Sequence, residues 1–373
     1  MNRIERMLQE LCPEGVEYRK LGEVLDYEQP TKYIVKDTGY DDSYQTPVLT
    51  AGQSFILGYT NERNGIFEAS KDNPTIIFDD FTCSFHWVDF SFKVKSSAMK
   101  MLRPINGKRI SFKYVYYAMS CIGFIPTDHA RHWISKYSLF EIPVPPIPIQ
   151  EEIVRILDHF TELTASLQAE LQARQEQYEY YRNKLLTFAK IGGGTQSVTW
   201  MKMSEIAEIS SGKNRNKSDI GKYPVYGSTG IIAYCENFIY ATPQILIARV
   251  GANAGFVHIA VDKYDVSDNT LIVSINDRNK YYFKYFYYLL SNMQLNKLAK
   301  GGGQPLVTAT DIKKLLIPIP PLDEQQRIVE ILDKFETLVN DLSQGLPAEI
   351  AAVQEQYEHY RNKLLTFNRI KSN

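Results

Sequence analysis

No catalytic signature, membrane span or metal framework stands out in this 373-residue chain, and each absence narrows what the chain can do. It has no GxxxxGK[ST] stretch to cradle nucleotide phosphates. DNPT at Asp72 falls short of the Pro-Pro-aromatic motif of amino-methyltransferases, and Asp79, Asp80 and Asp89 lack a well-spaced lysine to complete a nuclease site. We therefore expect no catalytic residue. No run of eighteen apolar residues exists, so no transmembrane helix is expected. MNRIERMLQELCPEG reads as an amphipathic helix and turn rather than an export signal, which points to the cytoplasm. Cys12, Cys83, Cys121 and Cys235 form no CxxC pair, so neither a disulfide framework nor a zinc knuckle is signalled. His129 and His132 in HARH could share one helical face, but no third ligand is evident and no metal is expected.

What the chain does have is repetition. QEQYEYYRNKLLTF, from Gln175, returns as QEQYEHYRNKLLTF from Gln354 with one difference, Tyr180 against His359. Upstream, IPVPPIPIQEEIVRILDHF from Ile142 aligns with IPIPPLDEQQRIVEILDKF from Ile317. Repeats of this kind fix an architecture before any local reading. They divide the chain into a globular segment 1–141, a helical region 142–195, a second globular segment 196–316 and a second helical region 317–373. The globular segments share landmarks: Pro47-Val48 with Pro224-Val225, NPTIIF with TPQILI, and KYVYYAMS with KYFYYLLS. Their loops diverge, as expected of one fold presenting two binding surfaces.

The helical regions carry a seam. Ile153, Leu157, Phe160, Thr164, Leu167, Leu171, Arg174, Tyr178, Tyr181, Leu185 and Phe188 alternate steps of four and three, mostly apolar, which is coiled-coil spacing. The matching strip in the second copy runs Ile328, Leu332, Phe335, Val339, Leu342, then Val353, Tyr357, Tyr360, Leu364, Phe367. Aligning the copies needs four extra residues near SQGLPAEI, where Gly345 can end one helix and Pro347 can start another. The spacing predicts one continuous helix of about 39 residues, roughly 58 Å long, in the first copy and a broken helix in the second. The prolines before each helix are expected to end the preceding strand, and IGGGTQS to tether the second globular segment.

Composition is that of an ordinary soluble protein, 44% hydrophobic and 23% charged, with a net charge of −1. The charge is uneven: segment 196–316 holds 14 basic against 9 acidic residues, which suits phosphate contact. Both globular segments read as α/β (α+β) with short strands. The tyrosines of YVYYAM and YYFKYFYYLL could stack on bases, although helical spacing of aromatics usually means core. Polar, glycine-rich loops are better candidates. Lys213, Asn214, Arg215, Asn216 and Lys217 combine phosphate-binding cations with base-edge donors. Ser228, Thr229, Arg249, Asn253 and Gln304 complete the second set, and Thr50, Gln53, Asn61, Arg63, Asn64 and Arg131 form the first.

The paired proline-then-helix repeats, IPVPPIPIQEEIVRILDHF with QEQYEYYRNKLLTF and IPIPPLDEQQRIVEILDKF with QEQYEHYRNKLLTF, resemble those of the specificity subunit of type I restriction-modification systems. The likeness spans essentially the whole chain. It implies two target-recognition domains separated by two long antiparallel coiled-coil regions in a pseudo-two-fold repeat. It also implies recognition of a split, asymmetric duplex DNA sequence, and docking of two methyltransferase subunits and of restriction subunits. S-adenosylmethionine, ATP and magnesium would then belong to those partners, with no cofactor in this chain. A two-headed coiled-coil scaffold that binds proteins is the alternative open to the residues themselves.

Overall fold

The computed structural model describes residues 3–52, 54–107, 109–188, 198–215, 218–301 and 303–370. Two compact units emerge, Met1–Ser166 with Ile350–Asn373, and Leu167–Glu349. Each gathers one globular head, one half of the first long helix and one helix of the C-terminal region.

In the first unit the chain forms α1 (Arg3–Leu11), β1 (Glu17–Lys20), α2 (Leu21–Val24), β2 (Leu25–Glu28), β3 (Thr46–Leu49), β4 (Ile56–Thr60) and β5 (Thr75–Asp79). It continues with β6 (Phe85–Val88), β7 (Lys93–Val94), β8 (Met99–Pro104), α3 (Phe112–Met119), β9 (Glu141–Val144) and α4 (Ile147–Leu186). TIIF in β5 shows why the head has two layers. Successive side chains of a strand face opposite ways, so Ile76 and Phe78 enter the core against the helices while Ile77 enters a second core. A strand apolar on both faces sits in the middle of the stack. The sheets run β2-β8-β5-β6 and β4-β3-β7, with β1-β9 as a separate pair and β3-β7 parallel.

The second unit repeats this plan strand for strand. It contains β10 (Thr199–Lys202), α5 (Met203–Ile206), β11 (Ala207–Ser211), β12 (Tyr223–Gly227), β13 (Gly230–Cys235) and β14 (Gln244–Ala248). Then follow β15 (Val257–Ala260), β16 (Asp265–Val266), β17 (Thr270–Ile275), α6 (Phe283–Asn292), α7 (Ala309–Lys313), β18 (Leu316–Ile319) and α8 (Leu322–Asn340). The orders β11-β17-β14-β15, β13-β12-β16 and β10-β18 match those of the first head position by position. Ile245 and Ile247 point to the helix-side core, and Leu246 to the other.

As the seam spacing predicted, α4 is continuous over 40 residues, with Pro148 tolerated in its first turn where the missing donor costs nothing. The second copy breaks into α8 and α9 (Leu346–Leu364). At the break, Asp341 Oδ1 accepts from the amides of Ser343 and Gln344. A Cβ on Gly345 would lie 2.4 Å from the Thr337 carbonyl, so only glycine fits. In the first unit Phe160 of α4 stacks on Tyr360 of α9 at 5.6 Å, and Ile149, Ile153 and Leu157 share a core with Leu364 and Leu365, an antiparallel arrangement. In the second, Tyr178 and Tyr181 of α4 stack on Phe335 of α8, in a core with Leu171, Leu185, Ile328 and Leu332. Leu167 is buried, and Tyr357 packs against the first core.

Two expectations need correction. Leu342 is not a seam residue: it falls in the break and is 83% exposed. Pro145 and Pro320 follow directly on β9 and β18, which end there as expected, but not every proline before the helices does so. Pro143 and Pro318 lie inside β9 and β18, opposite Tyr18 and Trp200. A two-stranded ladder leaves one edge of each strand unpaired, so a residue without an N–H is accommodated there. The segment IGGGTQS lies outside the described residues.

Candidate nucleic-acid interface

Each head is fastened to its helices by the same set of bonds, which fixes what faces outward. Gln150, buried near the start of α4, donates to Pro145 O at 2.6 Å and accepts from the Ser111 amide at 2.8 Å. Gln325 does the same to Pro320 O and the Tyr282 amide, at 2.8 and 2.9 Å. Tyr114 and Tyr285 donate to Pro143 O and Pro318 O, each at 3.0 Å. Tyr117 donates to Asp158 at 2.5 Å and Tyr288 to Asp333 at 2.5 Å, with Glu336 also on the Tyr288 hydroxyl. Burial, reinforced by these carboxylates, raises both phenols far above the usual tyrosine range, so they remain donors. These tyrosines therefore anchor the heads. They are not the base-stacking platforms the sequence had allowed, because their rings lie in the core.

In the second head the candidate loops meet around residues 265–269. Lys213 is exposed. Asn214 donates to Asp265 Oδ2 at 2.6 Å, and Arg215 pairs with Asp268 at 2.8 Å while remaining largely exposed. Gly212 approaches so closely that a Cβ would lie 2.3 Å from Ser267 O. Asn216 and Lys217 lie outside the described residues. Ser228, half-buried, and Thr229, exposed, form the turn between β12 and β13, and Tyr226 O accepts from the Ser267 amide at 2.8 Å. Arg249 binds Asn269 O through its amide, and its own carbonyl accepts from Val307. Its buried Nε has no partner among the described residues. Asn253 and Gln304 are exposed on neighbouring loops, joined by the Gly251 amide to Pro305 O at 3.0 Å.

In the first head, Asn61, Arg63 and Asn64 are exposed on the loop after β4. Lys93 holds that loop from beneath, 2.7 Å from Asn64 O, 3.0 Å from Gly65 O and 3.1 Å from Glu62. Burial opposes ionisation of Glu62, but the amides of Asp37 and Lys36 and the Lys93 ammonium together keep its carboxyl below the usual range. Thr50 is half-buried, and two residues further along the same loop Gly52 O meets His86 Nε2 at 3.2 Å. Gln53 lies outside the described residues. Arg131 is exposed, 6.0 Å over the Phe81 ring, which stacks on His129 at 4.6 Å. His132 is buried 3.2 Å from the Asp128 carboxylate, so it does not share a ligand face with His129. Among the described residues no three or more His, Cys, Asp or Glu side chains converge on a possible metal position. Asp80, considered above for nuclease chemistry, is buried 3.1 Å from Lys100 and accepts from the Trp133 amide.

Sequence reasoning passed over Lys93, Asp265 and Asp268. An acid beside a candidate phosphate loop reads as repulsive, and no local spacing joins Asp265 to a partner 51 positions away. Gln150 and Gln325 did carry a signal: both copies keep a glutamine at one position of an apolar helix face.

Two repeated α/β heads, each bolted to a long helical region, define the class of two-headed recognition subunits. The profile of the type I restriction modification DNA specificity domain matches residues 13–175 and again 197–352, and the chain belongs to that family. It is 42% identical to the EcoR124I/EcoR124II specificity subunit of Escherichia coli over 94% of either chain. A putative type I restriction enzyme specificity subunit of Haemophilus influenzae is 30% identical over 95% of this chain and 96% of its own. The S subunit of the M. genitalium type I restriction-modification system has the same fold, with a TM-score of 0.62 at 16% identity, covering 94% of this chain and 96% of that one. No helix among the described residues is long and apolar enough to cross a membrane.

Proposed function

We propose that this type I restriction-modification specificity subunit reads a split, asymmetric duplex DNA sequence, one half with each head. The observation that supports this reading most is duplication with divergence: identical strand orders carry unlike exposed loops. Lys213, Arg215 and Lys217 contact phosphates, with Asn214 and Asn216 beside them. Ser228, Thr229, Arg249, Asn253 and Gln304 lie on the remaining contact loops of the second head. Thr50, Gln53, Asn61, Arg63, Asn64 and Arg131 serve the first. The helical regions set the unread gap and dock two methyltransferase subunits, which restriction subunits join. The chemistry, with S-adenosylmethionine, ATP and magnesium, belongs to those partners in the cytoplasm, and this chain contributes no catalytic group. The four-part division at 141, 195 and 316 follows the same reading.

The test is a head exchange. Residues 196–316 are replaced by the matching segment of a relative, and methylated positions are sequenced in cells that also carry the partner subunits. We expect one half of the methylated sequence to change and the other to persist. A change in both halves would sink the idea of independent heads. Binding that ignores both sequence and salt would favour a protein scaffold instead.

A further inference from the structure

The two heads place a buried charge at one point of the fold with opposite sign. Lys93 opens β7 and Asp265 opens β16, and each pairs in parallel with its neighbour strand at the same register, Val48 with Lys93 and Val225 with Asp265. Both are enclosed, 2% and 6% exposed. An ion taken out of water is destabilising unless paired and fully hydrogen-bonded. Here the partners come from loops, apart from the Val266 amide of β16, which donates to Asp265 Oδ1 at 2.7 Å. Lys93 binds Glu62 and the carbonyls of Asn64 and Gly65, and Glu62 in turn accepts from the amides of Lys36 and Asp37, at 2.7 and 2.8 Å. Asp265 accepts from Asn214 Nδ2 at 2.6 Å.

Three uses of such a residue can be told apart. One that served packing would be apolar in at least one head, as Leu271 is where the first head has Lys100. One that served the shared fold would be the same in both, as Gln150 and Gln325 are. One that served the loop would differ as the loops differ, and Lys93 and Asp265 do. Each is bonded to the loop that carries its head's exposed amides and cations, Asn61, Arg63 and Asn64 in one and Lys213 and Arg215 in the other.

We propose that Lys93 and Asp265 are positioning residues for sequence readout, each holding the recognition loop of its own head, so that losing one loosens discrimination at one half-site alone. This rests on the heads being DNA readers. The experiment uses the full chain assembled with its methyltransferase subunits. Substrates are duplexes carrying the methylated sequence of the wild type, or that sequence with one base pair changed in either half, and the head exchange above assigns halves to heads. Methyl transfer to matched and altered duplexes gives a discrimination ratio per half.

Asp265→Val should lower that ratio about ten-fold in the second head's half and leave the other half unchanged, and Lys93→Met should do the reverse. Asp265→Asn combined with Asn214→Asp rebuilds the amide-to-carboxylate bond with its ends exchanged and should restore much of the ratio, which general destabilisation would not permit. If Asp265→Val fails to assemble, Asp265→Asn alone preserves the shape and should still lower the ratio several-fold. Wild-type ratios in the assembled variants, or equal losses in both halves, overturn the proposal. A wild-type complex that discriminates at neither half would overturn the DNA reading itself.

Discussion

After the central strand of its larger sheet the first head has Asp80, and at the same place the second has Arg249. The equivalence is fixed by the backbone, since His132 donates to Asp80 O and Val307 to Arg249 O, each at 2.8 Å. With Lys93 and Asp265 this makes two positions at which sign is reversed between copies of one topology. Where the reversed charge is buried it is bonded locally, as Lys100 answers Asp80 in the first head, whereas Arg249 is only half-buried. What the heads share is the alternation of Ile76, Ile77 and Phe78 with Ile245, Leu246 and Ile247, and the Gln and Tyr bonds to the helices. Topology rests on those shared residues, and the buried ions belong to each head separately.

The sharpest way to break this comparison is to remove the charges that follow the central strands. Asp80→Ala strands Lys100 and should destabilise the first head by roughly 3–5 kcal/mol. Arg249→Ala strands no partner, and about 1 kcal/mol or less is expected. Hydrogen exchange resolved by head, under rising denaturant, measures both, and equal losses would remove the asymmetry. The shared bonds should respond alike. Gln150→Leu and Gln325→Leu each leave one buried donor and one buried acceptor unpaired, and a matched loss of roughly 1–3 kcal/mol is expected in the two heads.

A smaller effect separates two histidines at one strand position, since His86 in β6 and His258 in β15 pair across from Ile77 and Leu246. His86 has Gly52 O, whereas both ring nitrogens of His258 are buried without a partner among the described residues. Burial lowers the His258 pKa to about 4. The unfolded chain therefore takes up a proton that the folded head refuses as pH falls from the ordinary histidine value of 6.5 toward 4. Stability should decline across that window and be complete above it. His258→Phe, between Tyr226 and Phe256, should flatten the slope in denaturation at pH 7 and pH 5. Smallest of all, Arg215→Ala should change stability by less than about 1 kcal/mol, because its pair with Asp268 is exposed. Its effect should show in a shallower salt dependence of DNA binding.

Much of the helical scaffold was legible because it is periodic or repeated: the seam gave α4, and Gly345 with Pro347 gave the break. The landmarks Pro47-Val48, NPTIIF and KYVYYAMS became β3, β5 and α3, each with its partner in the other head. The division of each head into a four-stranded and a three-stranded sheet beside a separate pair was hidden, since strands of two to six residues carry little periodicity and only burial tells Ile76 from Ile77. The anchors beneath the loops were hidden for a different reason. Lys93 meets Asn64 across 29 positions, and nothing local to either residue reports the meeting. Leu342 was misplaced because the heptad count was carried one step past the last helical residue, Asn340.

The first unit has a history that the second lacks. Its two stretches lie at opposite ends of the sequence and meet through the bridge of Val16 to Arg369 and the bond from Tyr18 to Phe367 O, made across 349 positions. A ribosome adding about 5–20 residues per second delivers these partners tens of seconds apart. Through that interval Ile149, Ile153 and Leu157 wait without Leu364 and Leu365, the residues that complete their core. Leu167–Glu349, by contrast, is one uninterrupted stretch and is whole before Ile350 is added. Synthesis should therefore finish the second unit first, against the usual order from the N-terminus. A chain truncated after Glu349 would then resist protease across the second unit and be cut within the first, and the opposite pattern would show that the first unit does not wait for its closing helix.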